Sequence, residues 1–143
     1  MKILNKKAKF EYEILDTLIV GIVLTGTEIK SVRKGNVSLS DTYCSIVNNE
    51  MFLYNSFINK FTHGSYNNHE EYRVRKLLLH KNEIKKLHQK VKEKGLTIVP
   101  LNIFINSKGL CKLEIALCKG KHLYDKREII KQRDLDRSIS ANI

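Results

Sequence analysis

Short runs in which apolar residues occupy every second position are the feature that most restricts the fold of this chain. Phe10, Tyr12 and Ile14 follow this pattern, and residues 18–24 form an apolar run rich in β-branched side chains. The first pattern is typical of a half-buried strand and the second of a fully buried one. We therefore predict two strands here, with a turn at residues 16–17 between them.

A hairpin is predicted after these strands. It joins residues 41–47 to residues 50–54 through Asn48 and Asn49, which favour a tight hairpin turn. The polar, glycine-containing stretch 62–69 that follows is predicted to be a loop.

A second hairpin is predicted near the end of the patterned region. It joins residues 97–105 to residues 110–118 through a turn at 106–109. Pro100 has no N–H to donate to a neighbouring strand, so it indicates either a sheet edge or a bulge.

Two helices are predicted between the strands. Residues 26–35 contain a short one, which Thr27 would cap and Gly35 would end. A longer helix from about His80 to Lys94 would end at Gly95, because glycine tolerates the left-handed backbone found there. Antiparallel strands closed by helices predict an α+β, mainly β, fold with a small barrel.

Positive charge is the first indication of function. The chain has 26 Lys and Arg against 15 Asp and Glu, a formal net charge of +11. Such a charge attracts polyanions such as nucleic acid or an anionic membrane. Residues 73–95 carry many of the cations, with only Glu83 and Glu93 against them. The alternatives are a basic protein without such a partner and a helix whose lysines serve solubility.

The composition changes after Cys118. We predict an RNA-binding domain over residues 1–122, which begins with a basic arm at 1–9, and a tail over 123–143. The tail has few apolar residues to hold a helix alone in water, so we expect it to be disordered when free and to fold against RNA. An ordinary packed C-terminal helix is the alternative.

The three cysteines form no C-x-x-C pair, which predicts free, buried thiols in a reducing compartment, the cytoplasm. No apolar run approaches the roughly 20 residues of a membrane-spanning helix, so no membrane association is expected. The five histidines show no metal-ligand spacing with the cysteines, and neither metal nor cofactor is expected.

Sequence motifs of enzymes are missing. The chain contains no G-x-x-x-x-G-K-[ST], no G-x-G-x-x-G and no G-x-S-x-G, and its carboxylates are scattered. These absences favour binding over catalysis. A single-strand-binding barrel and a small nuclease remain alternatives, but we expect most aromatic residues of the strands to pack in the core rather than to stack on bases.

Several segments together resemble a known family. They are residues 5–8, 10–12, 21–31, 33–35, 39–41, 75–84, 116–121 and 125–127. In them the chain is similar to the small protein B family, also called SsrA-binding protein. The resemblance implies an oligonucleotide-binding-type barrel with flanking helices and a flexible C-terminal tail, in a monomer that is not an enzyme.

The resemblance also implies partners. Proteins of this family bind the tRNA-like domain of transfer-messenger RNA and bring it to stalled ribosomes for trans-translation. The barrel then holds the RNA, while the tail enters the decoding region and message channel of the small subunit, where it becomes helical.

Individual residues follow from the matched motifs. RNA binding is implied for Asn5, Lys6, Lys7, Glu28, Lys30, Arg33, Arg75 and Lys76. A role of the tail on the ribosome is implied for Gly120, Lys121, Asp125, Lys126, Arg127, Lys131 and Arg133. For Glu28 three roles stay open: it accepts hydrogen bonds from base or ribose, it orients Lys30 and Arg33, or it only complements the helix dipole. Thr27 departs from the family, in which this position is often aromatic, so a stacking contact is expected to be missing.

Overall fold

The computed structural model describes residues 2–61 and 68–120, and it places nine strands and three helices in them. The strands are β1 (Lys2–Leu4), β2 (Tyr12–Ile22), β3 (Val37–Ser38), β4 (Tyr43–Val47), β5 (Glu50–Tyr54), β6 (Phe57–Ile58), β7 (Arg75–Leu78), β8 (Thr97–Ile105) and β9 (Cys111–Gly120). The helices are α1 (Ala8–Glu11), α2 (Gly26–Arg33) and α3 (Lys81–Lys94).

Seven of these strands form one antiparallel sheet in the order β1-β8-β4-β5-β7-β2-β9. An additional pairing of β8 with β9 closes the sheet into a ring, so the strands of the ring have partners on both sides. Strands β3 and β6 pair separately. This arrangement confirms the predicted α+β, mainly β, fold with an antiparallel sheet that closes on itself.

Both predicted hairpins are confirmed, and turn chemistry explains them. Asn48 and Asn49 have φ values of 53° and 64°, the left-handed pair that a two-residue hairpin turn requires. In the β8–β9 turn the Asn106 side chain accepts hydrogen bonds from the N–H groups of Lys108 and Leu110 at 3.0 and 2.9 Å. Register shifts next to Pro100, so of the two predicted alternatives the bulge is the one present.

The start of the chain differs from the prediction. The expected basic arm, residues 1–9, contains β1, which pairs with β8, and the first residues of α1. Phe10, predicted in the first strand, lies in α1 instead and is strongly exposed. Strand β2 then runs without a turn at residues 16–17, because a bulge between Ile14 and Asp16 absorbs the break in the alternating pattern.

Both main helices lie close to their predicted positions. The cap of α2 is Thr25 rather than Thr27: its side chain accepts from the Glu28 N–H, and the Glu28 carboxylate accepts from the Thr25 N–H. After α2 and α3 the chain turns at Gly35 and Gly95, whose φ values of 78° and 63° favour glycine.

The core fills the inside of the ring. Alternation along the strands points Met51, Leu53, Leu77 and Leu113 inward, where each is at most 1% exposed. Burying such a side chain contributes roughly 1.5–3 kcal/mol. All three cysteines are free and buried, as predicted.

The two main helices lie at opposite ends of strand β8. Leu87 of α3 lines one cavity together with Ile98 near the start of β8, whereas Val32 of α2 lines another with Ile103 and Ile105 near its end. The structure therefore separates the two basic helices by the length of a strand.

Phe61 and Asn68, the described residues on either side of 62–67, are joined by hydrogen bonds; we call this contact the Asn68–Phe61 neck. The Asn68 side-chain amide donates to the Phe61 carbonyl at 2.9 Å and accepts from the Phe61 N–H at 3.2 Å. The two residues are thus joined by a pair of hydrogen bonds like those between neighbouring strands.

Candidate nucleic-acid interface

A buried carboxylate organises the α2 end of the ring. Glu28 lies in the first turn of α2 with no exposed surface. One of its oxygens accepts from the Thr25 N–H at 2.8 Å, so the capping box of α2 holds the carboxylate at a fixed place.

Two arginines donate hydrogen bonds to this carboxylate, one just before β7 and the other at the start of β7. Arg73 donates from Nη2 to one oxygen at 2.6 Å and from Nε to the other at 3.1 Å. Arg75 contacts the second oxygen through Nε at 2.8 Å and through Nη2 at 2.7 Å. Its Nη1 donates to the Ser56 carbonyl and hydroxyl, both at 2.9 Å, and its Nη2 to the Glu71 carbonyl at 3.1 Å. The buried guanidinium therefore ties α2 to three other parts of the chain.

Electrostatics favour the ionised form of Glu28. Burial alone would raise the pKa of its carboxyl group. Hydrogen bonds donated by Arg73, the Thr25 N–H and Arg75 outweigh burial and lower this pKa from 4.5 to about 2. The hydrogen bond to Glu28 in turn raises the pKa of Arg73, while burial lowers the pKa of Arg75. One negative charge thus holds two positive ones, and the cluster keeps a net positive charge.

A hydrogen-bonded chain beside this cluster includes His69. Its Nε2 lies 2.9 Å from the Ile58 carbonyl, which can only accept, so Nε2 donates. In the neutral ring Nδ1 then accepts from the Thr27 hydroxyl at 2.9 Å. Thr27 therefore connects α2 to the segment that carries the arginines.

Exposed cations lie on the two segments that form the cluster. Lys30 of α2 and Lys34, which directly follows the helix, both lie 5.4 Å from the centre of the Phe61 ring, and Arg33 is exposed at the end of α2. The side chain of Arg73 is 35% exposed. We call Lys30, Arg33, Lys34 and Arg73 the α2 surface.

Helix α3 presents a second basic surface. Its exposed lysines form no ion pair with any described residue; they are Lys81, Lys85, Lys86, Lys90, Lys92 and Lys94. Among residues 2–61 and 68–120, no group of His, Cys, Asp or Glu is placed to hold a metal ion, and no helix is long and apolar enough to cross a membrane.

Comparison with known proteins gives the family. A family profile described as "SmpB protein" matches residues 2–143. The chain belongs to the SmpB family. It is 51% identical over 139 residues to the SsrA-binding protein of Flavobacterium johnsoniae, which covers 97% of this chain and 92% of that protein. It is 55% identical over 134 residues to that of Phocaeicola vulgatus, which covers 94% and 89%.

A solved structure of an SmpB-family assembly has the same fold. One of its chains matches with a TM-score of 0.72 and 41% sequence identity, over 90% of this chain and 94% of the other. That structure is described as "tmRNA-SmpB: a journey to the center of the bacterial ribosome".

The structure changes the picture of two residues that the SmpB resemblance assigned to RNA binding. Arg75, for which the resemblance implies RNA binding, has no exposed surface, and its charge is matched by Glu28 inside the fold. Glu28 is not the free acceptor of one alternative, and in the described residues it orients Arg73 and Arg75 rather than Lys30 and Arg33.

The remaining expected residues lie at three places. Lys30 and Arg33 belong to the α2 surface, Lys6 and Lys7 are exposed between β1 and α1, and Lys76 is exposed on β7, paired with Glu50 at 2.8 Å. Asn5 uses its side chain within the fold, where Nδ2 donates to the Pro100 carbonyl at 2.9 Å. Gly120 ends β9; the other expected tail residues lie outside the described residues.

Sequence reasoning missed Arg73, Lys34, His69 and the orientation of the aromatic side chains. Tyr43 is exposed, and Phe52 and Tyr54 are half-buried on the outside of the ring, so the expectation that they fill the core is wrong. The alternation of β5 shows why: Met51 and Leu53 take the inward positions, which leaves the aromatic neighbours outside. That signal was readable from the sequence.

Proposed function

We propose that this chain binds the tRNA-like domain of transfer-messenger RNA and brings it to stalled ribosomes for trans-translation in the cytoplasm. Membership of the SmpB family supports this, as do the names of its relatives and of the solved assembly. In this proposal the chain is a binding protein and not an enzyme.

The observation that carries the proposal is the ordered cationic surface built on Glu28. Arg73 binds the Glu28 carboxylate through the Nε and Nη2 edge of its guanidinium. Its Nη1 has no hydrogen-bond partner among the described residues. The two N–H groups of Nη1 are therefore available to a phosphate oxygen. Arginine bound in this way is pre-oriented, so less side-chain freedom is lost when RNA binds.

Glu28 acts in this proposal as a positioning residue. A carboxylate on the surface would repel phosphates, but this one is buried and neutralised by two arginines. It supports RNA binding by holding Arg73 and by fixing α2, which carries Lys30 and Arg33. Arg75 has the same indirect role, because it ties Glu28 to β7 and to Ser56.

Asn5 is proposed to place the two lysines that follow it. Its N–H donates to the Leu101 carbonyl at 2.8 Å and its side chain to the Pro100 carbonyl, so it holds the chain on β8 just before Lys6 and Lys7. The two ammonium groups then start from a fixed backbone position, which suits contact with successive phosphates.

The tail is proposed to act on the ribosome after the RNA has bound. The sequence resemblance supports this role for Gly120, Lys121, Asp125, Lys126, Arg127, Lys131 and Arg133. Gly120 ends strand β9, in which it pairs with Tyr12 of β2.

Competition binding tests the proposal. The folded tRNA-like domain, a single strand and a plain duplex of equal length compete for the labelled complex at several salt concentrations. We expect the folded domain to compete at least tenfold better than either control. Equal competition by all three would contradict the proposal, since counterion release alone does not distinguish them.

A further inference from the structure

A groove beside the separate β3–β6 pair differs in charge from the rest of this basic chain, and we call it the Tyr72 groove. Its volume of about 410 Å³ lies within the range of roughly 300–1,000 Å³ found for small-ligand sites. The residues that line it are Ser38, Ser40, Asp41, Asn55, Phe57 and Tyr72. They include one carboxylate and no cation, although the whole chain has a formal charge of +11.

Two aromatic rings line the groove side by side. The ring centres of Phe57 and Tyr72 are 5.2 Å apart, and their planes are tilted by 55°. Tyr72 is 59% exposed, so its contact with Phe57 leaves most of this residue open to solvent. The face of an aromatic ring carries partial negative charge and attracts a cation placed over it.

The groove also contains polar groups that the fold does not use. Asp41 and Asn55 have φ values of 57° and 67°, the left-handed conformation that Asp and Asn adopt more readily than other side chains. The Thr42 hydroxyl donates to the Asn55 carbonyl at 3.2 Å and so joins the two turns. Within residues 2–61 and 68–120, the side chains of Asp41 and Asn55 have no hydrogen-bond partner. Their oxygens are therefore acceptors that a ligand can use.

An arginine side chain matches this set of groups. A planar guanidinium stacks on an aromatic ring, and its five N–H groups can bind a carboxylate and an amide oxygen at the same time. A phosphate group is disfavoured, because the Asp41 carboxylate would repel it and no lining residue carries a positive charge to offset this repulsion. The cation that follows Tyr72 in the sequence, Arg73, is bound to Glu28.

We propose that the Tyr72 groove binds an arginine side chain of a ribosomal protein. A protein that binds ribosomal RNA carries cations of its own to neutralise phosphates, so such a surface offers arginines. This inference rests on the proposed function, which brings the chain to ribosomes, and it assigns one protein contact there.

Titration with a small probe tests the chemistry of the groove without RNA or ribosomes. The isotope-labelled full chain is titrated with N-acetyl-arginine amide or with its uncharged isostere N-acetyl-citrulline amide, and NMR follows the backbone amide shifts. We expect arginine to shift the residues of the Tyr72 groove and citrulline to bind about tenfold more weakly, the value of a hydrogen bond to a charged group. Asp41→Asn keeps a side chain that suits the left-handed backbone and should weaken arginine binding by a similar factor. Equal binding of the two probes, no shift in the groove, or no effect of Asp41→Asn would overturn the inference.

Photo-cross-linking identifies the source of the arginine. Benzoylphenylalanine replaces Tyr72, and the full chain is bound to transfer-messenger RNA and stalled ribosomes before irradiation. We expect an adduct with a ribosomal protein, in a peptide that contains arginine. The same group at Leu110, which is 54% exposed next to the β8–β9 turn, is the matched control and should not give this adduct.

The other outcomes of the cross-linking experiment contradict the inference. An adduct with RNA, an adduct within this chain or with a second copy of it, or no adduct in a complex that co-sediments would overturn it. If the wild type fails to bind the RNA at all, the proposed function itself is contradicted, whereas the arginine titration still decides the chemistry of the groove.

Discussion

Helices α2 and α3 both carry rows of cations, but the structure holds those cations in different ways. At α2, Arg73 is fixed by a buried carboxylate, and two lysines lie over the ring of Phe61. At α3, six lysines extend into solvent without an ion-pair partner among the described residues. Cationic side chains thus produce an ordered surface at one end of the ring and a diffuse one at the other. We expect the first to contribute specificity and the second mainly long-range attraction.

The largest effect is expected from removing the anchor of the ordered end. Glu28→Ala leaves Arg75 buried without a counter-charge, which costs about 3–5 kcal/mol in the free energy of unfolding. RNA affinity should fall with it, since Arg73 loses its support. Urea denaturation and RNA titration measure the two effects.

Glu83 provides a matched control for that variant. It occupies the same third position of α3 and accepts from the His80 N–H at 3.0 Å, but within residues 2–61 and 68–120 it pairs with no arginine. Glu83→Ala should cost about 1 kcal/mol, the value of a cap alone. Equal losses for the two variants would show that Glu28 is only a cap.

The next largest effect is expected in the pH dependence of stability, which tests the Glu28 carboxylate at the α2 end of the ring. Since folding lowers the pKa of Glu28 from 4.5 to about 2, its contribution is fully present above pH 4.5 and is lost as the pH falls towards 2. The shift corresponds to about 3 kcal/mol. Urea midpoints of wild type and Glu28→Gln, measured between pH 6 and pH 2, should converge as the pH falls. Parallel curves would contradict the role given to this carboxylate.

A smaller effect is expected from the exposed arginine itself. Arg73→Ala should weaken binding of the tRNA-like domain about tenfold, the value of a hydrogen bond to a charged group. The slope of log affinity against log salt should fall by about one, because one phosphate contact is lost. Arg73→Lys keeps the charge but not the bidentate geometry, so it should restore the slope without restoring the affinity. Full rescue by lysine would show that only charge matters at this position.

The smallest effect is expected at the diffuse end. Lys90→Ala on α3 should change the affinity for the tRNA-like domain less than twofold and leave its preference over a plain duplex unchanged. Fluorescence anisotropy at two salt concentrations measures both. A loss as large as that of Arg73→Ala would remove the distinction between the two surfaces.

The sequence predicted features that neighbouring residues determine, but not features that depend on residues far apart in the chain. Asn48, Asn49 and Gly95 determine their turns locally, and those turns are where the pattern placed them. The Glu28 cluster joins residues 45 and 47 positions apart, and no local pattern announces such a pair. The sequence therefore revealed the cations and the family resemblance, but not which cation is buried.

The beginning of the chain illustrates a second limit. The break in alternation at Leu15 is equally compatible with a turn and with a bulge, and only the pairing of β2 with β9 decides between them. Residues 2–11 likewise carry too little apolar pattern to reveal that β8 would supply a partner strand for β1.

The Asn68–Phe61 neck separates the length of the segment between these two residues from the rest of the fold. Because the Asn68 side-chain amide bonds both the N–H and the carbonyl of Phe61, residues 61 and 68 are held next to each other. Because loop-closure entropy rises only slowly with length, a grafted peptide between Phe61 and Asn68 is expected to cost little stability. The same neck is a natural position for a fluorescent tag or for new chain termini in a circular permutant.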